Sequence, residues 1–220
     1  MKILIIPDVH GRDFWVEPCS HVDEFDKIIF LGDYHDPYSF EVSQDTSRHR
    51  LRDKLVPFVL EHQDKCVCLF GNHDGNYLVG DMADRVDYWH KHEIRDYMQQ
   101  MNIKLVHQEG KYLFSHSGVL PDWLKANDLS MYDLNNMPFN HQALMQVSPF
   151  RGGWSEAGSC VWGDIREYAT KEHIPNIYQI FGHTQLRENA IIEKDWACLD
   201  CRKAFTLIDD ELKPYEKEVH

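Results

Sequence analysis

Asp8, His10, Asp33, Asn72, His116 and His183 all stand at or just beyond the end of a short apolar run. Asp8 and His10 are two positions apart, which puts both side chains on one side of an extended chain. Together the six residues offer oxygen and nitrogen donors and no sulfur. Such a set suits Mn²⁺, Zn²⁺ or iron, where carboxylates alone would suit Mg²⁺ or Ca²⁺. Six donors exceed what one catalytic ion with an open position uses, and they fit two ions that share a carboxylate. Two doubly charged ions against the carboxylates of Asp8 and Asp33 leave a positive centre, for which phosphate is the natural ligand.

The elements that must carry these residues are legible in the same stretches. "KILIIPDVHG", "KIIFLGDYHD", "CVCLFGNHDG", "KYLFSHSG" and "IYQIFGHTQ" each read as a buried strand running into a polar loop. A single His or Asp at a strand end is ordinarily a turn former or a hydrogen-bonded neighbour. Five such tips in succession point to one crevice, because loops at the carboxyl ends of strands converge in α/β sheets. Between the strands, "TSRHRLRDKLVPFVLEHQ" predicts a helix kinked at Pro57. "DRVDYWHKHEIRDYMQQM" predicts a second helix whose apolar face includes Val86, Trp89, Ile94, Tyr97 and Met101. Strands interleaved with helices give an α/β fold. From residue 119 to 160 the pattern lapses into aromatics and glycines, with one short helix from Pro121; this is either a wall over the site or a peripheral packing segment. "AFTLIDDEL" predicts a closing hairpin that turns at Asp209 and Asp210, and "YEKEVH" a solvated tail.

Composition narrows the function further. The chain of 220 residues is 43% hydrophobic and 27% charged, an ordinary globular balance read as a single domain over 1–220. Its net charge of −13 argues against broad contact with long nucleic acid or anionic lipid. No apolar run is long enough to span a bilayer, and Pro7 and Asp8 end the opening run too soon for a secretory leader, so the expectation is a cytoplasmic protein with no membrane association. Cys198 and Cys201 have CxxC spacing but no second pair, and reduced buried thiols are expected.

Asp8-Val9-His10-Gly11, Gly32-Asp33-Tyr34-His35-Asp36, Gly71-Asn72-His73-Asp74, Ser115-His116-Ser117-Gly118 and Gly182-His183-Thr184 occur in an order that resembles the calcineurin-like metallophosphoesterase superfamily. The chain looks closest to its phosphoprotein-phosphatase and diadenosine-tetraphosphatase branch, to which "VWGD" and "LDCRKAFTLID" are also similar; the likeness runs from residue 3 to about residue 209. It implies two mixed β-sheets in a sandwich flanked by helices, with two metal ions at the strand tips. By the same likeness Asp8 and His10 bind the first ion, Asp33 bridges both, and Asn72, His116 and His183 bind the second. His73 is then a general acid, Asp74 orients and charges it, and Asp36 and His35 stand close by. A metal-bridging hydroxide would attack a phosphate ester, most simply a monoester. The alternatives are phosphodiester or dinucleotide-polyphosphate hydrolysis and, in another class, a non-catalytic metal-binding scaffold, although all six ligands and His73 are present.

Two positions depart from the pattern. Where that branch has an arginine on the substrate phosphate, this chain has Pro37, which leaves Arg12, Arg151 and Arg166 as candidates to replace it. Where other superfamily members end in Gly-His-x-His, this chain has Gln185, whose amide oxygen is a further candidate ligand.

Overall fold

The computed structural model describes residues 1–80 and 82–216. The end of the expected tail, residues 217–220, lies outside them, while Tyr215 packs on Phe25 and is part of the folded body. The strands are β1 (Lys2–Ile6), β2 (Lys27–Phe30), β3 (Cys66–Cys68), β4 (Val106–Glu109), β5 (Tyr112–Ser115), β6 (Tyr178–Phe181), β7 (Ile191–Ile192), β8 (Trp196–Cys198), β9 (Phe205–Ile208) and β10 (Glu211–Pro214). They form two five-stranded sheets, ordered β10-β9-β1-β2-β3 and β4-β5-β6-β8-β7. Both are mixed: β1, β2 and β3 run parallel, β9 pairs antiparallel with both β1 and β10, and β5, β6 and β8 run parallel with β4 and β7 antiparallel to them.

Alternation along each strand builds the layers. In β1, Ile3 and Ile5 join Ile29, Leu31 and Val67 against Phe114, Ile180 and Ala197 of the second sheet. Leu4 and Ile6 face the other way, onto Leu51, Leu55, Val59, Ile94 and Met98 of the helices outside the first sheet. Such period-two patterning is what a strand buried on both faces requires. The outer face of the second sheet is covered by Val119, Leu120, Trp123 and Leu144. Hence both readings of 119–160 hold for different parts: the helix Pro121–Ala126 packs on the outer face of the second sheet, whereas Arg151, later in the same segment, reaches the cavity at the strand tips.

Local departures have local causes. Pro57 has no N–H for the carbonyl of Asp53, and the chain answers with a π turn over Leu51–Leu55, in which the Val56 amide bonds back to Leu51. The expected kink is thus a wide turn between helices Gln44–Arg50 and Val56–Glu61. Trp89 does not join the apolar face predicted for it: a 3-10 turn, Tyr88–His90, precedes the helix Lys91–Met98 and leaves Trp89 exposed. Asp209 and Asp210 make the closing turn with φ of 49° and 69°, and all six cysteines are free. No helix among the described residues is long and apolar enough to cross a membrane.

The segment ahead of that 3-10 turn is anchored by Asp87. Its amide donates to the Tyr77 hydroxyl at 2.9 Å, and its buried carboxylate faces His35 Nε2 at 3.9 Å and His90 Nδ1 at 2.9 Å. His35, and then the ring and amide of His90, hold this carboxyl below the usual range against the effect of burial. A carboxyl that titrates lower folded than unfolded stabilises fully above about pH 4 and loses that effect as pH falls through the folded value. Asp87→Asn is therefore expected to lower the urea midpoint at pH 7, with the gap to the parent protein narrowing on acidification below about pH 4. An equal gap at pH 7 and at low pH would assign the loss to packing instead of charge.

Candidate active site

The five tips meet at one end of the two sheets, where the first supplies Asp8, His10, Asp33 and Asn72 and the second supplies His116 and His183. Convergence this close needs backbone without side chains at the crossings. A Cβ on Gly71 would lie 2.2 Å from Asp33 Oδ1, and one on Gly182 would lie 2.1 Å from Asp8 Oδ1. It also needs unusual backbone at the donors themselves: His10, Asp33, Asp36 and His183 have φ of 45°, 54°, 57° and 64°. Left-handed conformations cost non-glycine residues of order 1 kcal/mol or more and persist where the surroundings enforce them. Here the His10 amide bonds the Asp33 carbonyl at 2.7 Å, and the His183 amide bonds the Asp8 carboxylate at 2.9 Å.

Asp33 is the centre. Its Oδ2 lies 3.4 Å from His10 Nε2 and 3.4 Å from His116 Nε2, and its Oδ1 accepts from the His73 amide at 2.9 Å. His10 Nδ1 donates to the His35 carbonyl at 3.0 Å and His116 Nδ1 to the Leu31 carbonyl at 2.8 Å. Each Nε2 is thereby left as a lone pair turned towards the centre, the arrangement that ligating histidines adopt. His116 Nε2 stands 3.0 Å from both Asn72 Oδ1 and His183 Nδ1, while His183 Nε2 is buried without a partner.

These lone pairs, gathered with few protons between them, fit divalent cations. Asp8, Asp33, His116 and His183 can bring one donor atom each within 4.8 Å of one another, as can His10, Asp33 and His73. Asp33 is common to both groups, the position a bridging carboxylate needs. Asp8 falls in the group with His116 and His183.

Electrostatics follow the packing. Burial pushes His10 down to about 3 and His183 well below its usual value, so both rings are neutral and able to ligate. Asp33 is held down to about 2: burial opposes its charge, and His116, His73 and His10 outweigh burial. Burial raises Asp8.

His73 lies in the first turn of the helix Asn72–Leu78 and lines the same cavity of about 500 Å³. The expected pairing with Asp74 is corrected by the structure. Asp74 accepts from the amides of Gly71 at 2.8 Å, Asp33 at 2.9 Å and Tyr34 at 3.0 Å, and so clips two strand tips together. Its position at the third residue of the helix aims its carboxylate back at the N-terminal amides. His73 Nδ1 instead faces Asp36 Oδ2 at 3.1 Å. Asp36 is buried and is also held by Tyr77 Oη and by Asn76 Nδ2 at 3.0 Å. Burial works against a charged His73, but Asp33 and Asp36 outweigh it and raise the ring above the usual histidine value.

The arginine candidates divide. Arg12 is buried against Glu41 at 2.6 Å and the Asp8 carbonyl at 3.2 Å, and Arg166 is exposed against Asp164 at 2.8 Å. Arg151 lines the cavity, with Nη2 bonded to the His183 carbonyl at 3.2 Å and Nε 3.3 Å from the Asp164 carboxylate. Gln185 is exposed and is not part of the cavity wall. Sequence reasoning missed Arg85, which lines the same cavity as Arg151; nothing in "MADRVD" sets it apart, because its place depends on contacts far along the chain.

The fold and this arrangement of donors are those of a metallophosphoesterase. A family model described as calcineurin-like phosphoesterase matches residues 1–189, and the chain belongs to that family. A search of curated proteins found no match. Among solved structures, the cold-active protein-tyrosine phosphatase of the psychrophile Shewanella sp. is similar with a TM-score of 0.63 at 14% identity, covering 96% of this chain and 76% of its own. A Saccharomyces cerevisiae protein serine/threonine phosphatase with similarity to human phosphatase PP5 is similar with a TM-score of 0.56 at 14% identity, covering 100% of this chain and 81% of its own. At that identity the likeness establishes the fold.

The exchanged roles of Asp36 and Asp74 are measurable. Asp36→Asn is expected to lower the pKa of the His73 ring in an NMR titration. Asp74→Ala is expected to cost about 2–4 kcal/mol of stability by urea denaturation, since it strands three buried amides. A larger His73 shift in Asp74→Ala than in Asp36→Asn would reinstate the Asp74 pairing.

Proposed function

We propose that the protein is a binuclear metal-dependent phosphoric ester hydrolase acting most simply on phosphomonoesters, with the whole chain working as one phosphoesterase domain. The observation that carries this reading is the crowding of His116 Nε2, Asn72 Oδ1 and His183 Nδ1 beside Asp33, in an open cavity shared with His73. Asp8, His10, Asp33, Asn72, His116 and His183 would hold two divalent ions, Mn²⁺, Zn²⁺ or iron, which when bound supply positive charge for a phosphate ester and lower the pKa of bound water.

The chain's own residues supply the rest. His73 holds Nδ1 on Asp36, and its Nε2, on the wall of the cavity, lies 3.2 Å from Arg85 Nη2. Its raised pKa suits the ring to carry a proton near neutral pH, and Nε2 can pass that proton to the leaving oxygen once the Arg85 guanidinium beside it turns to the phosphate. Asp74 keeps the Asp33 and Asn72 tips in register through their amides and takes no part in proton transfer.

A second reading, hydrolysis of a diester or dinucleotide polyphosphate, is favoured by one feature. A second cavity of about 470 Å³ shares Met82, Arg151 and Trp162 with the first and continues to the exposed Trp154, which gives room for a second arm. A non-catalytic scaffold would have no use for the buried Asp36–His73 pair.

The test uses para-nitrophenyl phosphate and bis-para-nitrophenyl phosphate with protein stripped of metal and then given Mn²⁺, Zn²⁺ or Fe²⁺. Turnover is expected to return with metal, to favour the monoester, and to fall at least about 10-fold in Asn72→Ala. His73→Asn is expected to lose about 10²–10⁴-fold on alkyl esters, whose leaving groups need the proton, and much less on para-nitrophenyl phosphate. Preference for the diester would select the second reading, and no turnover with any of the metals would select the scaffold.

A further inference from the structure

We propose that Arg85 is the side chain that grips the phosphoryl group of the substrate, and that Tyr38 is the positioning residue that seats it. The inference rests on the phosphoesterase reading and adds to it the protein's own cation for the phosphate.

Arg12 is met by Glu41, and Arg151 and Arg166 are both met by Asp164. Arg85 differs: its Nη1 is buried and has no hydrogen-bond partner, and its Nη2 lies 3.2 Å from His73 Nε2. Nη1 without a partner and Nη2 held only by the His73 ring can take two phosphate oxygens at once, and the release of Nη2 frees His73 Nε2 to face the leaving oxygen.

The seat is built from both sides. The Arg85 guanidinium lies over the Tyr38 ring with its carbon 3.7 Å from the ring centroid, a cation–π contact that fixes its plane and leaves its edge donors available. Tyr38 in turn meets the His10 ring edge-on at 5.3 Å. From below, Asn76 holds the backbone: its Oδ1 accepts from the Met82 and Ala83 amides at 2.9 and 2.8 Å, and its Nδ2 donates to the Arg85 carbonyl at 2.9 Å. A buried asparagine that spends both ends of its amide on this loop gives Arg85 a fixed origin, and Tyr38 gives it a fixed direction.

A phosphate grip and a structural clip predict different results. The experiment follows para-nitrophenyl phosphate turnover by Mn²⁺-loaded protein, competitive inhibition by inorganic phosphate, and the thermal midpoint. Arg85→Ala is expected to raise KM and to weaken phosphate inhibition in parallel, each about 10-fold or more. Added methylguanidinium is expected to restore part of both, and Arg85→Lys to recover less than half of the loss because it lacks the fork. Tyr38→Ala is expected to weaken phosphate inhibition in the same direction, and Tyr38→Phe less so, since the ring carries the contact. If Arg85→Ala leaves phosphate inhibition unchanged while the parent protein turns over ester, this inference alone is overturned. If it lowers only the thermal midpoint, Arg85 is a clip and the inference is likewise overturned. A parent protein that hydrolyses neither test ester with any metal overturns the phosphoesterase reading, and this inference with it.

Discussion

The structure depends on bringing a buried carboxylate, Asp33, among histidine lone pairs and holding it there. Oδ2 is 3.4 Å from two ring nitrogens, and the side chain is almost wholly removed from water. Left to itself such a cluster would separate, because burial penalises the carboxylate and lone pairs repel one another. What prevents separation is backbone: the strand tips are bonded amide to carbonyl across the crevice, Asp74 ties three amides to one carboxylate, and glycines remove the atoms that would collide. The four left-handed residues are the local cost, and the two interlocked sheets supply the rigidity that maintains them.

That division between scaffold and tip explains what could be read in advance. β1, β2, β3, β5 and β6 were legible because each is a compact apolar run, whereas β4, β7 and β8, short or half-exposed, were not read. The donors were legible because a ligand-type residue directly after such a run has few other reasons to recur five times. The partner of His73 was not. Asp74 is its neighbour in sequence, but consecutive residues of a helix point about 100° apart, so adjacency separates their side chains. Asp36 is 37 positions away and arrives because β2 and β3 lie side by side. Arg85 was hidden for the same reason: its position comes from Asn76 and from an aromatic ring on another tip, relations that no spacing rule encodes.

The form of the kink at Pro57 and the exposure of Trp89 escaped the sequence for a different cause. Both residues lie in helical segments whose apolar spacing is sound, yet a missing donor in one and a 3-10 turn in the other changed the rotation per residue. A pattern with period 3.6 survives only while the turn does. The strand tips are insulated from such errors, since a slip by one residue in a doubly buried strand would exchange its two cores.

The bond from the His183 amide to the Asp8 carboxylate joins positions 175 residues apart, and it also joins the two sheets. Contacts of that separation are slow to close and are made late, after local elements have formed. The first sheet is itself unfinished until β9 arrives from the far end of the described chain. During synthesis, therefore, Asp8 and His10 leave the ribosome long before the histidines that complete their cluster. An ion that required the whole cluster would be bound only by a chain that has already closed, and its retention would then act as a latch on the finished fold.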